Sequence, residues 1–334
     1  MTDETDIFQT RICKLLEIQY PILQAGMGYL TKAELIAAVS NAGGLGVIGA
    51  AEFTPEGLRD EIRKIRSLTD KPFGIDVILP AMAPQGGAAV DAWGSKIKGQ
   101  LQVILDEQVP VFVSGLGNPG PFVEQAHAKG IKVLSVVGNV KNAKRVAAAG
   151  VDAVIAQGQD GGGHTGRIGT LSLVPQVVDA VDVPVLAAGG LSDGRGLVAA
   201  LALGASGVWL GTRFVASLEA AAHVNYKNKI VEAGDEDTVI TRAYSGKTMR
   251  VIKNKFTEEW SKRESEIKPF PLQREQIGGE EVYFAARAHG NTDLGSMPAG
   301  QGSGLIGAIK PAAEIVREIM AEARRVWEVD IRNR

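Results

Sequence analysis

One histidine lies in an unusually glycine-rich stretch, residues 157–166, which reads Gln-Gly-Gln-Asp-Gly-Gly-Gly-His-Thr-Gly. This stretch follows the apolar run Ala-Val-Ile-Ala at 153–156, which is typical of a buried strand. Glycines at this density weaken helices and strands, but they let a backbone turn sharply and approach a flat or charged ligand. His164 would then be a titratable group held beside that ligand. We therefore predict a binding and catalytic site rather than a flexible surface loop, because ligand-contacting residues gather on loops held by a rigid scaffold.

The elements that must position this loop alternate along the chain as strands and helices. Short apolar runs predict strands at 20–24, 45–49, 71–77, 110–114, 131–135, 152–156, 185–188 and 206–210. Helical patterns follow them, at about 31–39, 54–68, 93–107, 119–130, 140–149, 171–180 and 192–203. Alternation of this kind requires right-handed crossovers and a parallel sheet. Eight such units favour an α/β fold with a closed (β/α)8 TIM barrel over the alternative of an open doubly wound sheet.

The C-terminal third of the chain has a different character. After the eighth predicted strand, charged residues become more frequent, and the short apolar runs that predict strands no longer recur. We therefore predict a barrel formed by residues 1–221 plus 303–334, and a C-terminal helical lobe with a glycine-rich closing loop (290–302) over residues 222–302. A last amphipathic helix, at about 307–325, should pack back on the barrel.

Active sites of such barrels lie at the carboxyl ends of the strands. Here those ends are small, amidic or glycine-rich, which leaves many free backbone N–H groups and suits a planar cofactor better than a metal. Phosphate in this fold often binds on the loops after the seventh and eighth strands. Those loops are Gly189-Gly190 and Gly211-Thr212, whose amides and Thr212 hydroxyl can donate to a dianion. We predict a phosphate site there, rather than glycines that only make tight turns.

Composition argues against several classes of function. The chain of 334 residues has a formal net charge of -2, which gives no electrostatic case for binding nucleic acid or an anionic membrane. No apolar run approaches the ~20 residues of a membrane span. The single cysteine, Cys13, is expected to be a packing residue, and the absence of disulfides and of a signal-like N-terminus favours a cytoplasmic location. The four histidines, His127, His164, His223 and His289, lack metal-ligand spacing, so no metal is expected.

Two motif matches carry no weight. Gly44-Leu-Gly46-Val-Ile-Gly49 fits the GxGxxG pattern, yet it follows a helix and runs into a strand, which is the reverse of the dinucleotide fingerprint. Ser245-Gly-Lys-Thr248 resembles the end of a phosphate-binding loop, but Thr241 stands where the first glycine of that loop belongs.

Six longer motifs occur along the chain. They are Gln24-Ala-Gly-Met, Ala42-Gly-Gly-Leu-Gly-Val-Ile, the stretch 157–166, Ala187-Ala-Gly-Gly, Gly211-Thr-Arg-Phe and Ala299-Gly-Gln-Gly-Ser-Gly-Leu-Ile. This set resembles the nitronate monooxygenase family, formerly called 2-nitropropane dioxygenases, whose close relatives include FMN-dependent enoyl-ACP reductases. The similarity spans about residues 12–319. It implies a barrel that binds FMN, and it is much less specific for the substrate.

The resemblance also implies which residues contact the flavin. The implied contacts are Ala25, Gly26 and Met27 after the first strand, Gln157, Gly162 and Gly163 after the sixth, Gly189, Gly190, Trp209, Leu210, Gly211 and Thr212 at the phosphate end, and Gln301 and Gly302 closing over it. His164 matches the family's active-site histidine. Asp76 stands where many members carry asparagine and would place a carboxylate near the flavin edge, and Asp160 replaces a frequent glutamate.

Two functions follow from this resemblance. The first is FMN-dependent oxidation of alkyl nitronates, derived from nitroalkanes, with O2 to a carbonyl compound and nitrite. His164 would bind the nitronate oxygens or act as general base, with an imidazole titrating near its ordinary value of ~6.5. The alternative is an NAD(P)H-dependent FMN reductase of an enoyl thioester (enoyl-ACP or enoyl-CoA) or a quinone. Substrate size, electron donor and oligomeric state stay open, and a homodimer is one alternative.

Overall fold

The computed structural model describes residues 6–79 and 88–331. A helix begins at Ala88, ahead of the start predicted at about residue 93. The strands are β1 (Ile22–Gln24), β2 (Gly46–Gly49), β3 (Phe73–Ile78), β4 (Val111–Leu116), β5 (Lys132–Val137), β6 (Ala153–Gln157), β7 (Gly163–His164), β8 (Val185–Ala188), β9 (Gly207–Leu210), β10 (Thr238–Thr241) and β11 (Met249–Ile252). The helices are α1 (Arg11–Leu16), α2 (Ala33–Asn41), α3 (Pro55–Leu68), α4 (Ala88–Asp106), α5 (Gly120–His127), α6 (Val140–Ala148), α7 (Thr170–Val178), α8 (Gly194–Ala202), α9 (Thr212–Val215), α10 (Val224–Glu232), α11 (Lys255–Ser261), α12 (Leu272–Gln276), α13 (Gly279–His289) and α14 (Ala312–Arg325).

Eight parallel strands form the (β/α)8 TIM barrel predicted from the sequence, in the order β1-β9-β8-β6-β5-β4-β3-β2. The ring closes between β1 and β2 through a parallel bridge that joins Leu23 to Leu45. Gln24 reinforces this seam, because its Nε2 donates to the Val47 carbonyl (3.2 Å) and its Oε1 accepts from the Val47 N–H (3.1 Å). The alternative of an open doubly wound sheet is therefore wrong.

Strand side chains alternate between two apolar cores. One set fills the inside of the barrel, and the other packs beneath the surrounding helices. Helix α1, which the sequence analysis did not predict, adds Ile12, Cys13 and Leu16 to the inner core. It lies at the amino end of the barrel, where the Thr10 hydroxyl donates to the carbonyl of Ser206 (2.5 Å). Cys13 is 2% exposed, which confirms its expected role as a packing residue.

The last helix, α14, packs back on the barrel as predicted, against α8 and α2. It begins at Ala312 rather than near residue 307. Pro311 precedes it, and a proline disfavours helical backbone geometry at the residue before it. Its buried face includes Ile315, Ile319 and Met320. Across residues 6–79 and 88–331, every helix is too short or too polar to cross a membrane.

The predicted helical lobe needs a correction, because it also contains a β-hairpin. Strands β10 and β11 pair antiparallel, and β11 pairs with β7 of the glycine-rich stretch to form a three-stranded sheet. Strand β11 has only four residues, and even its charged residue Arg250 is buried, so its residue types form too short a pattern to identify a strand. This sheet ties the lobe directly to the loop that carries His164.

Candidate active site

Asp76 lies on the inner side of the barrel, near the carboxyl end of β3. Two glycines make room for its side chain: a Cβ on Gly26 would lie 2.5 Å from the Asp76 Cβ, and one on Gly115 would overlap its carboxyl oxygen. The buried Oδ1 has no hydrogen-bond partner within the described part of the chain. The barrel rim therefore holds a carboxyl group with one oxygen that these described residues leave unsatisfied.

Removal from water raises the pKa of the Asp76 carboxyl from 3.8 to about 8, and the Gly115 N–H opposes this shift only in part. The group is consequently mostly protonated at neutral pH. A protonated carboxyl resembles the asparagine amide in size, and both can donate a hydrogen bond. The chemical difference from asparagine at this position is therefore smaller than the sequence suggests.

A cavity of about 320 Å³ opens beside the turn that follows β8. Asp160, Gly189, Gly190, Gln301 and Gly302 all contribute to its lining. Gly189 and Gly190 have φ angles of 105° and 73°, in the left-handed region that favours glycine. A Cβ on Gly190 would also lie 3.0 Å from the Cβ of Asp160. Gly189-Gly190 and Gln301-Gly302, which are far apart in the sequence, thus line one cavity. Both pairs were predicted to contact one cofactor.

The closing loop lies directly on the glycine-rich stretch. The Gln301 N–H donates to the carbonyl of Asp160 (2.9 Å). A Cβ on Gly162 would lie 2.8 Å from the backbone of Ala299, and one on Gly302 would lie 2.7 Å from the carbonyl of the turn after β8. Both glycines are therefore required for the close approach of two backbones, in addition to any contact with a ligand.

Two polar side chains of the predicted site, Asp160 at this cavity and Thr212 after β9, are already engaged by the protein. The Asp160 carboxylate accepts from the N–H of Thr170 (2.6 Å), the first residue of α7. The Thr212 Oγ1 accepts from the N–H of Gly300 (3.0 Å). Since that bond uses the oxygen as acceptor, the hydroxyl hydrogen of Thr212 stays available to donate, as the predicted phosphate site requires.

The carboxyl ends of β1 and β9 bring further predicted contacts together. A Cβ on Gly211 would lie 3.6 Å from the Met27 Sδ and 3.8 Å from the Ala25 Cβ. Trp209 and Leu210 are 6% and 2% exposed, and their side chains belong to the inner and outer cores respectively. A ligand at this strand end would consequently meet mainly the backbone of residues 209–211.

His164 is held from both the barrel and the lobe. It forms part of β7 and lies opposite Met249 of β11. The Gln157 amide at the end of β6 donates to its carbonyl oxygen (2.9 Å). Its Nε2 lies 2.9 Å from the hydroxyl oxygen of Ser245. The imidazole is thus fixed by the lobe, although its own segment belongs to the barrel.

The electrostatic environment of His164 is cationic. Burial of the ring and the nearby charges of Lys247, Arg274 and Arg287 lower the pKa of His164 from 6.5 to about 4. Titration near the ordinary value, which the sequence analysis expected, is therefore wrong, and the imidazole is neutral at physiological pH. More than a third of the residue's surface remains accessible, so a small molecule can reach it.

Aromatic and basic side chains link the lobe to the barrel rim around this histidine. Tyr29, in the turn after β1, lies 6.3 Å from Phe284 of α13 between ring centroids. The guanidinium groups of Arg274 and Arg287 lie 3.8 Å and 4.9 Å from the ring centroid of Tyr283. Arg274 also pairs with the Glu280 carboxylate (2.7 Å), and Arg287 donates to the carbonyl of Ser296 (3.2 Å), so stacking and these contacts together orient both guanidinium groups.

The Glu52 carboxylate also lies near these cations. Glu52 follows β2, and a Cβ on Gly28 would lie 2.7 Å from its Oε2. Burial raises the pKa of Glu52, while Arg287, Lys96 and Arg274 oppose the shift. In residues 6–79 and 88–331, no three His, Cys, Asp or Glu side chains are grouped in a way that could hold a metal ion.

Comparison with known proteins accounts for this arrangement. The sequence matches the nitronate monooxygenase family over residues 9–322. The chain belongs to the nitronate monooxygenase family. It is 36% identical to a probable nitronate monooxygenase of Staphylococcus aureus, over 96% of this chain and 99% of that relative. The protein is accordingly an oxidoreductase.

Two solved structures of similar proteins extend the comparison. FabK from Thermotoga maritima superposes with a TM-score of 0.86 and 42% identity, over 96% of this chain and 97% of that one. Nitroalkane oxidase from Streptomyces ansochromogenes superposes with a TM-score of 0.83 and 32% identity, over 95% and 98%. The nitronate monooxygenase family assignment therefore rests on sequence and on fold, and the second of these neighbours is named for the oxidation of nitroalkanes.

Some residues of this family member's site were missed from the sequence. They are Glu52, Ser245, Lys247, Arg274 and Arg287. For Ser245 and Lys247 a signal existed, since both belong to the Ser-Gly-Lys-Thr motif that was set aside as a false phosphate loop. The arginines carried no signal, because only the folded lobe places them within electrostatic reach of His164.

Proposed function

We propose that this protein catalyses the FMN-dependent oxidation of alkyl nitronates with O2 to a carbonyl compound and nitrite. The observation that carries the proposal is the accessible His164 imidazole, which is held by the Ser245 hydroxyl (2.9 Å) and lies within electrostatic reach of Lys247, Arg274 and Arg287. A nitronate carries its negative charge on the atoms that react, so the positive potential from these side chains favours its binding. A neutral imidazole can donate one hydrogen bond to a nitronate oxygen without releasing a proton.

The residues present fit FMN. The left-handed turn at Gly189 and Gly190 offers bare backbone beside the 320 Å³ cavity, and the Asp76 Oδ1 has no hydrogen-bond partner among residues 6–79 and 88–331. The residues that would hold the cofactor are Ala25, Gly26, Met27, Asp76, Gln157, Gly162, Gly163, Gly189, Gly190, Trp209, Leu210, Gly211, Thr212, Gln301 and Gly302. When bound, the flavin supplies the redox chemistry.

The protein's own contribution is binding, orientation and exclusion of water. His164 would bind a nitronate oxygen, and the cations would lower the free energy of the bound anion. Residues 222–302, which we propose to be a separate lobe, would cover the substrate through the aromatic contact of Tyr29 with Phe284. Low water content strengthens each of these electrostatic interactions.

A second candidate is an NAD(P)H-dependent FMN reductase of an enoyl thioester or a quinone. The 42% identity to FabK, an enoyl-ACP reductase, supports this second candidate. In this case His164 would donate to the acceptor carbonyl, and the neighbouring cations would bind the phosphates of the donor or of the thioester carrier. The first function is preferred because Lys247, Arg274 and Arg287 all act electrostatically on the histidine itself.

Anaerobic stopped-flow mixing separates these two functions. We expect ethyl nitronate to bleach the visible absorbance of the FMN-loaded protein at a rate equal to or above turnover, and NADH or NADPH to bleach it far more slowly. Nitrite formed on later admission of O2 would support the first function. Rapid bleaching by a nicotinamide and none by the nitronate would refute it and support the reductase.

Replacement of Gly190 by alanine should remove bound flavin. The new Cβ would be strained by the φ of 73° and would crowd Asp160 at the cavity lining. The measurement is the ratio of flavin to protein after purification. The matched control is Gly130→Ala, which has a φ of 74° but no atom within 4 Å of the new Cβ. It should cost about 1 kcal/mol of stability and leave the flavin content unchanged. Equal flavin loss in both variants would contradict a role of Gly190 in cofactor binding.

A further inference from the structure

We propose that Ser245 is a positioning residue for His164: its hydroxyl donates a hydrogen bond to Nε2 and thereby keeps the imidazole proton on Nδ1. The Nδ1–H is then the group offered to the substrate. This inference deepens the proposed function and rests on it, because it specifies that the substrate reaches the site already deprotonated, as a nitronate rather than a neutral nitroalkane.

Ser245 lies in a rigid, buried turn before β11. The residue is 1% exposed. The carbonyl of Arg242 accepts from the N–H of Ser245 (3.3 Å) and from that of Gly246 (2.8 Å). Gly246 has a φ of 79°, and a Cβ there would lie 2.5 Å from the carbonyl oxygen of Lys268. The hydroxyl is therefore placed by backbone geometry and has little freedom to follow the imidazole.

The hydrogen bonds around the Ser245 hydroxyl indicate its direction. The N–H of Lys247 donates to the Ser245 oxygen (3.3 Å), which occupies one acceptor site. The hydroxyl hydrogen has two acceptors in reach: Nε2 of His164 at 2.9 Å and the carbonyl of Lys247 at 3.4 Å. The shorter contact has the length of an ordinary hydrogen bond, and the longer one is near the limit. We assign the hydroxyl hydrogen to the shorter contact, with Nε2 unprotonated. With Nε2 protonated, the hydroxyl would instead accept from Nε2 and donate to the Lys247 carbonyl, and the tautomer measurement below separates the two arrangements.

This direction determines what His164 can do. A neutral imidazole that accepts at Nε2 carries its proton on Nδ1, and Nδ1 has no hydrogen-bond partner within the described part of the chain. It can donate to a nitronate oxygen, which is an acceptor. It cannot remove the α-proton of a nitroalkane, since that step needs a lone pair on the nitrogen that faces the substrate.

The lobe thus has a second role besides covering the site. Pairing of β7 with β11 sets His164 opposite Met249, and the turn that precedes β11 brings Ser245 to the ring. Lys247 follows two residues later and contributes to the cationic field. One hairpin edge therefore supplies the orientation of the imidazole and part of the charge that selects an anion.

The test is the tautomer of His164 in the FMN-loaded protein. We would label the protein with 15N-histidine, record two-dimensional 15N–1H correlation spectra near neutral pH, and assign His164 from its absence in His164→Gln. We expect a protonated Nδ1 and an unprotonated Nε2. A protonated Nε2 in the wild-type protein would overturn the proposal. Because the spectrum is recorded without substrate, its outcome is independent of whether nitronates are turned over.

Variants of Ser245 test the same idea through function. Ser245→Ala should give a mixture of tautomers and lower kcat/KM for ethyl nitronate by ~10-fold, the value of one ordinary hydrogen bond. Ser245→Thr keeps the hydroxyl and should keep the wild-type tautomer. Ser261→Ala, an exposed lobe serine whose hydroxyl donates to Glu258, serves as the matched control. An unchanged tautomer in Ser245→Ala would refute the positioning role.

The two levels of inference fail in different ways. An Nδ1–H tautomer in a protein without nitronate activity would overturn the proposed function and leave the positioning role of Ser245 in place. Nitronate activity with an Nε2–H tautomer would overturn the positioning role of Ser245 and leave the proposed function in place. Turnover of the neutral nitroalkane at a rate matching that of its nitronate would show that His164 acts as a base, and would overturn the substrate assignment.

Discussion

Replacing His164 with alanine should lower kcat for alkyl nitronates by ~10²–10³-fold. This is the usual effect of removing one preorganised hydrogen-bond donor that stabilises negative charge on the reacting group. Flavin content should be unchanged, because the predicted cofactor contacts of this segment come from Gln157, Gly162 and Gly163. The measurement is nitrite release under saturating nitronate, normalised to bound flavin.

His127→Ala is the control for this substitution. His127 ends α5 and contacts Asp152 (2.9 Å), which precedes β6, so it lies at the opposite end of the barrel. We expect turnover at the wild-type level in this variant. A loss below threefold in His164→Ala would contradict the assignment of His164 as a catalytic residue.

The pH dependence of the wild-type enzyme follows from the lowered pKa of His164. The neutral imidazole is the major form above about pH 4, so its titration should give no inflection in kcat near 6.5. The folded-state pKa lies below the unfolded value, so protonation favours the unfolded chain. The contribution of His164 to the free energy of unfolding is fully present above pH 6.5 and is lost as pH falls from there through about 4. A clear inflection of kcat at 6.5 that is absent from His164→Gln would contradict this environment.

The Asp76→Asn variant of the apoprotein should be more stable than wild type, and increasingly so as pH rises from about 4 to about 8. The folded-state pKa is raised to about 8, while the unfolded carboxyl ionises near 3.8. Between these values the folded state retains a proton that the unfolded state has lost. The wild-type free energy of unfolding should therefore fall by about 1.4 kcal/mol per pH unit from this group.

Urea unfolding of both apoproteins at pH 5 and pH 8 measures this difference. The Asp76→Asn variant should lack the fall, because an amide does not ionise. Asp179→Asn, at an exposed position after α7, should keep the wild-type pH dependence. Parallel curves for wild type and Asp76→Asn would show that Asp76 is ionised in the folded protein.

Much of the barrel could be predicted from the residues. Each strand is a short apolar run that ends in glycine or a small polar residue, and each helix has a 3.6-residue apolar period, which is a local property of the chain. The Gly189-Gly190 turn was also predictable, since only glycine tolerates its φ angles. The hairpin of β10 and β11 was missed, because each strand has only four residues, too few to show a period.

The chemistry of the site was only partly visible. His164 could be singled out from its glycine neighbours and from the family resemblance. Its partner Ser245 is 81 positions away in the sequence, and a hydrogen bond between them depends on the pairing of β7 with β11. The protonation of Asp76 was not visible either, because it results from burial beneath two glycines that come from other strand ends.

Local patterns in the chain therefore suffice for the barrel, the glycine-lined strand ends and the one histidine among them, because periodicity, turn geometry and residue type are short-range properties. The charge state and orientation of that histidine follow from the folded molecule. Electrostatic energy depends on distance in space, and Lys247, Arg274 and Arg287 reach His164 only after the lobe has packed on the barrel.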